Sequence, residues 1–148
     1  MYSDFLTFKL DLTSALLIDR ANVAYRERWN LDVRALRVLR LVCAEPDTTP
    51  KEVSRRTLVE KTLLSKVLAE LETRGLISRN AHPSDRRSVM LRATADGFEV
   101  VRASEVLGLA LEVELAKALT DSERKTLERL LDKLSNNLLR GESSAAPD

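Results

Sequence analysis

Apolar residues recur at spacings of three and four along most of this chain, and the rhythm changes once, just past the middle. From Ser3 to Arg28 the stripe Phe5, Phe8, Leu12, Ala15, Leu16, Val23 predicts one long helix, which Trp29 and Asn30 interrupt. Leu31 to Val42 predicts a second, with Leu31, Ala35, Leu36, Val38, Leu39 and Val42 inward. After a loop at Glu45, Pro46 and Asp47, Thr49 and Glu52 form a capping-box pattern around Pro50, and apolar Val53 and Leu58 follow. From Lys61 to Arg74, Leu64, Val67, Leu68 and Leu71 mark one buried face, and Gly75 supplies a helix stop.

Two short strands are then predicted, Leu76–Arg79 and Val89–Arg92, around a segment rich in turn formers: Asn80, Pro83, Ser84 and Asp85. Thr94 opens a helix to about Ala118 with apolar markers Val100, Val101, Leu107, Leu111 and Leu115. Thr120 with Glu123 repeats the capping box and starts a last helix carrying Leu127, Leu130, Leu131, Leu134 and Leu138. Gly141 is expected to end it, leaving 141–148 as a disordered polar tail.

Two short helices followed by a charged hairpin make a helix–turn–helix with a wing, a DNA-reading module. The faces turned from the core supply candidate contacts. On the second helix of the pair these are Lys61, Thr62, Ser65 and Lys66, suited to base edges or phosphates in a major groove, and Lys51 stands at the start of the first. On the hairpin, Arg86 and Arg87 suit a negative minor groove. Asp85 is read as the partner that orients the Arg87 guanidinium, against the plainer reading of a turn-forming Asp.

Net charge is only +1, but its distribution is uneven. Residues 48–92 hold ten Lys or Arg against five Asp or Glu, a net +5, which leaves the rest of the chain at −4. A near-neutral whole with a basic module fits a local phosphate-binding face. With 148 residues, 44% hydrophobic and 32% charged, the chain has the length and balance of one helix-rich domain. No apolar run is long enough to span a membrane, the N-terminus lacks a secretory signal pattern, and one cysteine forbids an internal disulfide, so a cytoplasmic protein is expected. One histidine, His82, and one cysteine, Cys43, cannot assemble a multi-ligand zinc site within the chain. No phosphate-binding loop, dinucleotide loop or nucleophile elbow occurs, so no catalytic residue, metal or cofactor is expected. Cys43 reads as a small buried hydrophobe or as a sensing thiol, and His82 as a turn residue or a phosphate contact.

The order of motifs resembles the MarR family of winged-helix regulators. Leu71-Glu72-Thr73-Arg74-Gly75-Leu76-Ile77 matches the end of that family's recognition helix. Asp85-Arg86-Arg87 matches its wing, and Ala93-Thr94-Ala95-Asp96-Gly97 its wing-to-helix segment, with Ala93 where Leu is usual. Leu63-Leu64-Ser65-Lys66 departs from the family's usual Thr-Val-Thr-Arg, and a lysine offers a point charge where arginine offers a fork. The resemblance implies a mainly α fold over 1–148. Its winged helix–turn–helix with a two-stranded β-wing spans 31–94, and the long terminal helices, 1–28 and 95–140, serve dimerisation. It implies a homodimeric repressor on a pseudo-palindromic operator in double-stranded DNA, released by a small-molecule effector such as an aromatic acid. Tyr25, Trp29 and Arg37 are the candidate effector contacts, against the plainer reading of Tyr25 and Trp29 as core packing and of Arg37 as a solvated or ion-paired residue. A ligand-insensitive architectural or protein-interaction factor is the alternative.

Overall fold

The computed structural model describes the backbone of residues 1–144 and side chains as far as Gly141. A 3-10 turn at Tyr2–Asp4 precedes six helices: α1 (Leu6–Trp29), α2 (Val33–Ala44), α3 (Pro50–Thr57), α4 (Lys61–Thr73), α5 (Ala95–Leu115) and α6 (Asp121–Ser144). Strands β1 (Ile77–Ala81) and β2 (Val89–Ala93) lie between α4 and α5 and pair antiparallel, Ile77 opposite Ala93 and Ala81 opposite Val89. A single bridge from Thr48 to Leu91 adds the stub of a third strand. The chain divides into two compact units, Met1–Leu109 and the residues from Ala110 on.

In the first unit the core is the set the helical period predicts. Leu31, just before α2, and Ala35, Leu36, Val38, Leu39 and Val42 from α2 meet Leu64, Val67, Leu68 and Leu71 from α4, and Val53, Leu76, Ile77 and Leu91 close it, all buried. The two helix–turn–helix segments end and begin on local chemistry. Thr49 accepts the Glu52 amide at 3.3 Å and caps α3. Glu52 does not complete the box: its carboxylate turns outward to Arg55, one turn on. Leu58 does not join the core either. It is the C-cap of α3 in left-handed conformation, φ 59°, and 90% exposed, because the chain must reverse there to start α4. Gly75, at φ +69°, ends α4 with the paired bonds from the Leu76 amide to the Leu71 carbonyl and from the Gly75 amide to the Glu72 carbonyl, both 2.9 Å.

Thr94 starts α5 as expected. Its hydroxyl accepts the Gly97 amide at 3.1 Å and donates to the Gly75 carbonyl at 2.6 Å, so one side chain ties α5, the end of α4 and the wing base together. At the other end of the unit, α1 is joined to α2: the buried Asn22 accepts the Val33 amide at 2.8 Å, and Asp32 accepts that of Ala35, also at 2.8 Å. The N-terminal half of α1 is different. Phe5, Leu6, Leu12, Leu16 and Leu17 are all more than two-fifths exposed.

In the second unit, Thr120 and Glu123 form the complete reciprocal box, at 3.0 and 3.1 Å, and α6 follows. Gly141 does not end α6, which continues to Ser144; a single glycine costs a helix only about 1 kcal/mol. Of the expected tail 141–148, residues 145–148 lie outside the described residues. Leu127, Leu130, Leu131, Leu134 and Leu138 are exposed along α6 at helical spacing. Among the described residues no helix is long and apolar enough to cross a membrane, and no group of three potential metal ligands occurs.

Candidate nucleic-acid interface

The ten cations of residues 48–92 fall into two sets. Arg56 pairs with Glu45, and Arg55 with Glu52. Arg74 lies 3.6 Å from Glu70, Arg79 lies 3.5 Å from Glu72, and Arg92 meets Asp47 through two bonds of 2.6 and 2.8 Å. Those five are committed to the fold: they join the loop before α3 to α3 and β2, and α4 to β1. Lys51, Lys61, Lys66, Arg86 and Arg87 have no ion pair among the described residues, and all five are exposed. They are the five cations that the sequence singled out as DNA contacts.

Lys51 and Lys61 stand at the first turns of α3 and α4. With Pro50, Thr62, Leu64, Ser65 and Leu68 they line an open cleft of about 480 Å³ between those helices. Two ammonium groups beside two helix N-termini make that cleft electropositive. The N-cap of α4 is Glu60, which no preference for Ser, Thr or Asp would have found; it accepts the amides of Thr62 and Leu63 at 3.0 and 3.3 Å. Those bonds, the Thr62 amide foremost, hold the Glu60 carboxyl below the usual range. Glu60 thus occupies the amides at the very start of α4, and the side chains of Thr62, Ser65 and Lys66 are exposed further along. The Ser65 hydroxyl donates back to the Lys61 carbonyl at 3.2 Å, so its lone pairs face outward.

The wing loop is built by its own polar atoms. Ser88 accepts the His82 amide and donates its own to the Asp85 carbonyl, both at 3.1 Å, and His82 Nδ1 accepts the Ser84 amide at 3.2 Å, so His82 is a turn-forming residue here. Asp85 acts on Arg87 differently from the expectation. Its Oδ1 accepts the Arg87 amide at 2.9 Å and makes no ion pair with the guanidinium. The short Asp side chain reaches the main chain two residues on more readily than a long arginine folds back. Asp85 therefore fixes where Arg87 leaves the loop, and the guanidinium extends into solvent.

The candidate effector residues are not brought into one pocket. Tyr25 is 5% exposed and its ring packs 6.3 Å from that of Trp29. Over Tyr25 lies the Arg40 guanidinium, 5.9 Å from the ring centre, which also donates to the Ser104 carbonyl and hydroxyl at 3.3 Å. Arg37 is exposed and lines a separate open cleft of about 580 Å³ with Arg40, Leu41, Arg56, Thr57 and Leu58. Arg40, one helical turn from Arg37, touches both places. Cys43 is half-buried, and burial, with Glu105 adding to it, raises its thiol to about 11.

The model of the MarR family matches residues 29–88, from the end of α1 to the end of the wing loop. The multiple antibiotic resistance protein MarR of Escherichia coli (strain K12) is 29% identical over 117 residues, 78% of this chain and 81% of that protein. A crystal structure of a MarR variant from Escherichia coli in complex with operator DNA shares the fold, with a TM-score of 0.78 at 24% identity over 90% of this chain and 97% of that one. A MarR family protein of Mycobacterium tuberculosis, solved with salicylic acid, has a TM-score of 0.72 at 25% identity, covering 88% of this chain and 96% of that one.

Proposed function

We propose, from the match of residues 29–88 to the MarR family model and from relatives that are transcriptional regulators, that this chain is a MarR family member and a cytoplasmic homodimer that represses transcription by reading a pseudo-palindromic operator in double-stranded DNA. One observation carries the reading: half of the module's cations are bound to carboxylates that organise the fold, and the other half are left exposed at α3, α4 and the wing. Exposed cations without partners are what phosphates and base edges require. Lys51 and Lys61 meet phosphates, Thr62, Ser65 and Lys66 face the major groove, and Arg86 and Arg87, set by Asp85, reach the minor groove.

The dimer is supported by the uncovered apolar residues of α1 and α6 and by the two-fold symmetry of palindromic DNA. Release by a small aromatic acid rests on the salicylic acid in the mycobacterial relative and on the Arg37–Arg40–Arg56 cleft. An anion seated there would compete with Glu45 for Arg56 and shift the helix–turn–helix relative to α2.

The test is selection of duplexes from a randomised pool by the intact protein, followed by titration at several salt concentrations. Specific dissociation constants on the order of 10⁻⁸ M or tighter are expected. Log affinity should fall linearly with log salt, with a slope of several units. If all five free cations of both protomers met phosphates the slope would approach about −9, so a shallower value measures how many read bases instead. Sedimentation should give a dimer at micromolar concentration. Recovery of no preferred sequence, with salt-insensitive binding, would leave the wing and α4 as a protein-contact surface and end the DNA reading.

A further inference from the structure

The C-terminal turn of α4 holds a contact that neither the core nor the DNA face explains. Arg74, the C-cap of α4, reaches across 44 residues of sequence and donates its guanidinium to the carbonyls at the end of α1: Nη1 to Asn30 at 3.0 Å and Nη2 to Trp29. Those are two of the carbonyls a helix C-terminus leaves unpaired, and a cation belongs there. The fork is held from behind by Glu70, one turn earlier on α4. Asn30 is in left-handed conformation, φ 51°, which turns the chain and presents the last carbonyls outward. On its other side the same turn of α4 is tied to the wing, by Glu72 to Arg79.

Helix α1 is 24 residues long, about 36 Å. Its C-terminal half is fastened to the module by Asn22 and by Arg74, and its N-terminal half presents the uncovered apolar residues. A rod gripped at one end by the recognition helix and at the other by a partner protomer transmits position between them. We propose that Arg74 is the positioning residue that sets α4 against α1, so that the register of the two recognition helices in the dimer, and hence the half-site spacing the protein accepts, is fixed through this guanidinium. The proposal rests on the dimeric DNA-binding reading above. Arg74 itself touches no DNA.

One inserted base pair moves a half-site by about 3.4 Å and a tenth of a turn. A rigid dimer rejects that displacement; one whose recognition helices have lost their tie to α1 absorbs it. The experiment uses the full chain and the palindromic duplex selected by the parent, with versions carrying one base pair more or fewer at the centre. Binding is followed by fluorescence anisotropy for the parent, Arg74→Met and Arg74→Lys. The parent should lose at least tenfold on either spacing change. Arg74→Met, which keeps the aliphatic stem, should lose threefold or less on the same changes, with weaker binding to the original spacing and an unchanged salt slope on random duplex. Arg74→Lys should fall near Arg74→Met, because one ammonium cannot span both carbonyls as the fork does. Circular dichroism confirms folding in each case. If Arg74→Met discriminates spacing as the parent does, or weakens on all three duplexes by one common factor, Arg74 is merely structural and the proposal is overturned. If the parent selects no palindrome, the failure lies with the DNA-binding reading beneath it.

Discussion

Replacing Gly97 with alanine tests how closely α5 is seated on the wing base. A Cβ built at Gly97 lies 2.2 Å from the Leu76 carbonyl oxygen, 3.2 Å from its carbon and 3.5 Å from Leu39 Cδ1. The first is main chain, so no rotamer change relieves it; the start of α5 must retreat by about 1 Å. That retreat strains the bond from the Thr94 amide to Leu76 at 3.1 Å and the one from its hydroxyl to Gly75 at 2.6 Å. Overpacking of this kind costs about 1–3 kcal/mol, and a weakened cap about 1 kcal/mol more. Opposing it, alanine is the better helix former by up to about 1 kcal/mol. The clash wins: a net loss of about 2 kcal/mol is expected, which for a chain of this size lowers the melting temperature by about 6 °C. Thermal unfolding by circular dichroism at one fixed protein concentration measures it, since melting of an oligomer depends on concentration. Gly75→Ala is the contrast. Nothing lies within 4 Å of its Cβ, and its loss, about 1 kcal/mol, comes from the positive φ alone. A Gly97→Ala protein as stable as the parent would refute the steric account of the Thr94-Ala95-Asp96-Gly97 segment.

Further outcomes follow from other contacts. Arg87→Ala should weaken binding to the selected duplex, most on A·T-rich flanks, and reduce the salt slope by about one unit, whereas Arg92→Ala, already engaged by Asp47, should bind within a factor of about two of the parent; the reverse ranking in a gel-shift series would show that the wing register is misassigned. Leu58→Asn should stabilise the fold by about 0.5–1 kcal/mol in urea unfolding, because it relieves a left-handed leucine and uncovers nothing, and a loss of stability would mean that Leu58 is covered in the assembled protein. The raised Cys43 thiol gives a pH test: the folded state keeps the proton that the unfolded chain releases near 9. Its stabilising contribution is therefore complete below pH 9 and lost as pH rises through about 11. The parent should lose more stability than Cys43→Ala over that window, and coincident curves would dismiss the burial account.

What the sequence disclosed is what local chemistry controls. The α2 and α4 faces, the Thr94 cap and the Thr120–Glu123 box all depend on residues within one or two turns, so spacing alone finds them. The five cations proposed to face DNA stood out by residue type and place, but the pairing of the other five was hidden where it is long-range: Arg92 with Asp47 and Arg56 with Glu45 meet across 45 and 11 residues. The grip of Arg74 on α1 was invisible for the same reason. Gly141, read as a stop, costs too little to end α6, and apolar Leu58 is exposed where the backbone reverses, which spacing alone does not reveal. The apolar stripes of α1 and α6 announced that something must cover them without saying what.

The division of the module's cations also bears on how such a protein diverges. Among the described residues every ion pair that organises the helix–turn–helix uses residues outside the set proposed to face DNA, so exchange of Lys51, Lys61, Lys66, Arg86 or Arg87 removes no ion pair from the fold. A lineage carrying this architecture can therefore alter which operator it recognises one substitution at a time without passing through an unstable intermediate. The same arrangement makes the paired arginines slow to change, since each exchange strands a carboxylate. Descendants of such a chain are expected to differ most at the positions proposed to meet the nucleic acid and least at the salt bridges behind them.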